Sequence, residues 1–267
     1  MKKTFSSKKS AFSLIELSIV LIIIGLLIAG ITGGASLIKS SELRSIMGEA
    51  RGYAVAVNSF FTQYDQYPGD ASVRVGSASA FDGDRDNKIE YVNDVASPGA
   101  VMSEGLDAWF DLKDIGAIDL ALTAITVANG ATTAKVPVTD IPGSKIKGAG
   151  WAFDYHTASL QNVVVLTGTI ESWVATKDLV NTAAPAATSD NLSTEIISAP
   201  DAFSIDSKID DGKANSGNVQ AINNTSADAT ACTNRHLPLA TSAPAEYRVA
   251  NGAKKTCALT FRVDVSS

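Results

Sequence analysis

The sequence predicts an α+β chain: one long N-terminal α-helix, hydrophobic in its first half, packed on a C-terminal antiparallel β-sheet head with short extra helices. Three observations lead there. The apolar residues concentrate between Phe12 and Ile38. An amphipathic helical stripe then continues to Tyr64. Beyond it the chain turns rich in Ala, Ser, Thr, Asp and Asn, with few aromatics, which is the composition of strands and loops. At 267 residues, 45% hydrophobic and 19% charged, the chain can bury a core and is not globally disordered.

The run from Leu17 to Ile31 carries no charge, and Phe12–Ile15 and Thr32–Ile38 extend it beyond the ~20 residues that span a bilayer. Lys2, Lys3, Lys8 and Lys9 precede it with no acid among the first eleven residues, so that end is expected to stay cytoplasmic and the bulk to cross. A secretory signal peptide is the first alternative. The apolar run exceeds the usual ~7–15 residues of such a peptide, and Ala29-Gly30-Ile31 is a poor cleavage site. Glu16, at the leading edge, is the one carboxylate in the apolar stretch. Buried at mid-membrane depth it would cost roughly 2.5–3.5 kcal/mol. It either has a function there or marks the helix start at the headgroup level.

Leu43, Ile46, Ala50, Ala54, Val57, Phe61 and Tyr64 recur at three- and four-residue steps, with Glu42, Arg44, Glu49, Arg51 and Gln63 between them. One helix of about 50 residues follows, roughly 75 Å long, ended by Tyr67-Pro68-Gly69. Leu106, Trp109, Phe110 and Leu112 mark a short helix stopped by Gly116, with Trp109 read as core. Trp151–Tyr155 and Asn162–Thr169 read as adjacent antiparallel strands. Residues 181–194 read as a surface loop. Pro200 opens a helix over Asp201–Asp211 that Gly212 stops. Glu246–Ala250 and Thr256–Val265 are expected to form a final hairpin.

Two acidic stretches are candidate cation sites. Asp82, Asp84 and Asp86 alternate, and Glu90 stands at the ninth place counted from Asp82. That spacing resembles an EF-hand calcium loop. Asn87 replaces the glycine at the sixth place, and Asn93 the acid at the twelfth. A solvated acidic loop is the alternative. Asp206 and Asp210 lie one helical turn apart, with Asp211, Asn215 and Asn218 just beyond; a second Ca2+ site competes here with capping and solvation. Cys232 and Cys257 are the two cysteines. Behind a membrane-targeting segment an even count favours a disulfide, worth roughly 3 kcal/mol for such a loop.

The string Lys9-Ser10-Ala11-Phe12-Ser13-Leu14-Ile15-Glu16 resembles the processing site of type IV prepilins and type II secretion pseudopilins. The resemblance implies cleavage by a prepilin peptidase between Ala11 and Phe12, methylation of Phe12, and a Glu at the fifth mature position, which is Glu16. It also implies that Glu16 pairs with the amino group of Phe12 on a neighbouring subunit and sets the axial register. Ala11 stands where the family usually has Gly. Gly33 and Gly34 stand where many members have a helix-weakening Pro; they offer either a weak point or close helix packing. The order of helix end, Tyr67-Pro-Gly-Asp70, acidic loop and Trp-containing helix resembles that of some large pilin-like proteins.

The expected organisation is therefore a cleaved leader (1–11), a transmembrane or filament-core helix (12–38), its amphipathic half (39–66) and a head (67–267). The implied partners are other pilin or pseudopilin subunits, the prepilin peptidase, an inner-membrane assembly platform and the membrane. The implied location is the inner membrane with the head in the periplasm, then a pilus or pseudopilus. At 256 residues after the cut, the chain is large for a repeating major subunit, favouring a minor or tip-associated one. Losing the leader moves the net charge from −6 to −10, which argues against nucleic-acid binding. His156 and His236 have no metal-ligand spacing, and no hydrolase or nucleotide motif is present, so an enzyme is not expected. The competing class is a singly anchored periplasmic binding protein or adhesin that never polymerises.

Overall fold

A computed structural model describes residues 13–71, 83–91, 103–119, 134–157, 159–171, 179–180, 193–222, 231–234 and 245–264. The fold is α+β. Helix α1 runs over Leu14–Tyr64, 51 residues, and ends where Asp65 takes a left-handed conformation (φ 55°). It is helical through Gly33 and Gly34. The chain divides into two compact units, residues 1–42 and 43–267.

In the first unit, the side chains from Leu14 to Ile38 face outward along the whole helix. The stretch is long and apolar enough to cross a membrane. Two of its polar side chains bond back to their own helix. Ser18 Oγ donates to the Ile15 carbonyl (2.9 Å), and Thr32 Oγ1 to those of Ile28 (3.0 Å) and Ala29 (3.1 Å).

In the second unit, α1 buries Leu43, Ile46, Met47, Ala50, Ala56, Val57 and Phe60. The expected stripe was nearly right at its end: Phe60 is the fully buried residue, with Phe61 and Tyr64 packed at the core's margin. Glu49 fastens this helix to the head. Its carboxylate accepts from Ser144 Oγ (2.7 Å), Trp151 Nε1 (2.9 Å) and the Lys145 amide (3.2 Å).

Helix α2 (Glu104–Asp114) is capped by Ser103, whose side chain accepts from the Leu106 amide, and Gly116 follows it at φ 71°. Trp109 is fully buried, lies tilted against Phe153 and meets Tyr53 edge to face. Strands β1 (Gly150–His156) and β2 (Gln161–Thr167) pair antiparallel, as expected for the two neighbouring segments, and both are buried along almost their whole length. Helix α3 (Ala199–Ile209) starts two residues earlier than expected because Ser198 supplies the cap, its Oγ accepting from Asp201 N (3.4 Å). Strand β3 (Ile197–Ser198) leads into it, and β4 (Val219–Ile222) follows.

Strand β5 (Lys255–Arg262) is the hub of the sheet, pairing antiparallel with β2, β3 and β4. This corrects the expected terminal hairpin. The β5 ladder is occupied by these three strands, so the Glu246–Ala250 segment has no edge to join. It keeps one bridge, Thr233 to Tyr247, and then a 3₁₀ turn over Val249–Asn251. The expected end of the last strand, Val265, and most of the expected 181–194 loop lie outside the described residues. The Cys232–Cys257 disulfide is present, with Cα atoms 5.0 Å apart, and ties the 231–234 segment to β5.

Candidate functional site

Two regions carry the chemistry, one in each unit. At the start of α1, Ser13 and Glu16 form a capping box. The Ser13 amide donates to Glu16 Oε2 at 2.8 Å, and the Ile15 amide donates to Ser13 Oγ at 3.4 Å. The sequence carries the signal for it, Ser-x-x-Glu before an apolar run. A carboxylate at this position also complements the positive end of the helix dipole. Ala11 and Phe12, the expected processing residues, lie outside the described residues. Further along, a methyl group placed on Gly25, Gly30, Gly33 or Gly34 would point into open space, with nothing among the described residues beyond its own helical turn within 4 Å. No contact among the described residues requires glycine at these four positions.

The second region gathers three chain segments at one end of the sheet. The 69–71 turn, the 83–91 loop and the start of α2 approach so closely that two glycines are obligatory. Gly69 sits at φ 85°, and a Cβ on it would lie 2.2 Å from the Glu104 carbonyl oxygen. A Cβ on Gly83 would lie 2.3 Å from the Asp70 carbonyl carbon. The sheet holds the loop by its buried polar side chains. Asn162 Oδ1 on β2 accepts from Ile89 N (2.7 Å), its Nδ2 donates to Asn87 O (3.1 Å), and Asp154 on β1 accepts from Tyr91 N (3.0 Å). Asn87 takes the left-handed conformation (φ 66°) that a glycine would otherwise supply.

This packing brings Asp70, Asp84 and Glu104 together, each offering an oxygen within 4.8 Å of the others. Glu104 Oε2 accepts from Glu90 N (3.2 Å) and Oε1 from Asp84 N (3.4 Å). Asp70 Oδ2 accepts from Asn87 N (2.9 Å). Asp70 is fully buried, yet its Oδ1 has no hydrogen-bond partner. Burial, with the nearby Asp86 and Asp84 charges adding to it, pushes the Asp70 carboxyl up to about 6. Burial and then the Asp70 charge push Glu104 up to about 9.

Of the acids that the spacing singled out in this loop, Asp84 belongs to the cluster. Asp86 and Glu90 instead flank Lys88, which contacts the Asp86 carboxylate and lies 3.8 Å from that of Glu90. Asp82 lies outside the described residues. No sequence spacing marks Asp70 and Glu104 as ligands, because they come from separate segments that only the folded packing joins.

The second acidic group, Asp206, Asp210 and Asp211, also converges. Its carboxylates are engaged in shaping the turn after α3. Asp206 accepts from Tyr247 Oη (2.9 Å) and Gly212 N (3.2 Å), and burial pushes it up to about 7. Asp210 accepts from the Asn218 and Val219 amides. Asp211 accepts from Lys213 N and Ser216 Oγ, both at 2.8 Å.

Residues 6–32 match the family described as the prokaryotic N-terminal methylation motif. That motif is the processing signal of type IV pilins and pseudopilins, and here it covers the start of α1, as far as Thr32, and the segment before it. No curated protein and no solved structure matches the chain.

Proposed function

We propose that this chain is a structural subunit, minor or tip-associated, of a type IV pilus or a type II secretion pseudopilus. A prepilin peptidase cuts it between Ala11 and Phe12, and Phe12 is methylated. It waits in the inner membrane with its head in the periplasm until the assembly platform extracts it into the filament. The observation that carries this reading is the methylation motif at residues 6–32, continuous with a helix whose apolar side chains are left facing outward. Such a surface is stable only in lipid or against other apolar helices. The open glycines fit a helix that packs closely with its neighbours.

In this scheme Glu16 does two jobs. One oxygen caps its own helix at Ser13, and the charge pairs with the methylated amine of Phe12 on the next subunit. An unpaired charge in an apolar bundle is costly, so only one axial stagger satisfies both groups.

Two variants separate the jobs. Glu16→Gln keeps an oxygen for the Ser13 amide and removes the charge; Glu16→Ala removes both. Both are expected to insert into the membrane normally and to enter filaments at least about tenfold less than wild type, a deficit near 1.4 kcal/mol. Wild-type incorporation of Glu16→Ala would overturn the register role. Full rescue by Glu16→Gln would reduce Glu16 to a cap.

A further inference from the structure

We propose that Asp70, Asp84 and Glu104 bind one hard divalent cation, Ca2+, which clamps the 83–91 loop between the end of α1 and the start of α2. A calcium ion takes oxygen ligands at about 2.3–2.6 Å, so two ligands on opposite sides of it stand about 5 Å apart. Three carboxylate oxygens mutually within 4.8 Å satisfy that limit without moving the backbone.

Convergence of acids alone would not carry the assignment, and the second cluster shows why: each of its carboxylates already accepts hydrogen bonds from its own turn. The first cluster differs in one atom. Asp70 has no exposed surface, and its Oδ1 has no donor, whereas Oδ2 is taken by Asn87 N. A buried, unsatisfied carboxylate oxygen carries a desolvation cost that a bound cation removes. No lysine or arginine among the described residues pairs with Asp70 or Asp84. Asp84 is exposed, which leaves a side open for the ion and its waters to enter.

The ligand set also differs in kind from an EF-hand. Its acids come from three segments instead of one continuous loop, so the ion ties the segments together and is expected to stabilise the head.

The test uses the full chain in detergent, stripped with EDTA and titrated with CaCl2, following heat uptake and thermal unfolding. Wild type is expected to bind one Ca2+, and its Tm to rise by about 5–11 °C at a hundredfold excess over Kd. Asp84→Asn, a change on the exposed side, is expected to weaken binding at least about tenfold and to abolish the shift. Asp70→Asn keeps an acceptor for Asn87 N and removes the buried charge. It is expected to unfold no lower than wild type without Ca2+ and to gain nothing from the ion. A merely structural Asp70 would instead lower the Ca2+-free Tm. No heat and no shift in wild type would overturn the site. So would a shift that survives Asp84→Asn, or one lost only in Asp206→Asn.

Discussion

His156, the last residue of β1, has 3% of its surface exposed and its ring nitrogen Nδ1 against Ser159 Oγ. Burial lowers its pKa to about 4, so it is neutral at pH 7. In the unfolded chain it titrates near 6.5. Between those values the unfolded state holds the extra proton, so this residue withdraws stability as pH falls from about 6.5 to about 4, up to on the order of 3 kcal/mol. The raised carboxyls act in the opposite sense. Asp206 holds its proton to about 7 in the fold, and its contribution is present at low pH and lost as pH rises through that value. The overall slope mixes both signs, so the wild type must be compared with His156→Asn by urea unfolding at pH 7 and pH 4.5. The stability gap between them is expected to shrink by about 2–3 kcal/mol at the lower pH. An unchanged gap would contradict the buried, neutral histidine.

Among the elements, β5 bears the most weight, because three other strands hydrogen-bond to it and Cys257 ties it to the 231–234 segment. Reducing the disulfide is expected to lower stability by about 3 kcal/mol, seen as a Tm drop of about 6–12 °C for a domain of this size. A drop under about 2 °C would mean that the sheet alone sets the geometry of that end. The place of β5 was not legible. Its alternation marked a strand, but strand pairing is decided by distant segments, and the four-residue β4 shows too little pattern to announce itself. Helix α1 was legible almost to the residue, because apolar spacing over 51 residues is a local signal that accumulates. The α2 helix and the β1–β2 pair were legible for the same reason.

At the scale of the whole molecule, function divides between the two units. The candidate assembly element is written in one continuous stretch: basic leader, Ala11-Phe12, Glu16 and the apolar run. It could be read without any structure. The candidate cation cluster could be read only in part. Asp84 lay in a recognisable acidic loop, while Asp70 and Glu104 reach it through Gly69 and Gly83, whose close contacts no spacing rule reports. Glu49 is a similar case, an apparently solvated helix charge that turns out to hold Trp151, Ser144 and Lys145. The proposed assignment as a processed filament subunit rests on the N-terminal motif. Mass spectrometry of the protein isolated from membranes tests it most directly. The expected N-terminus is Phe12 carrying one N-methyl group, with residues 1–11 gone. An intact Met1, or a new N-terminus beyond the apolar run near Ile31, would contradict it.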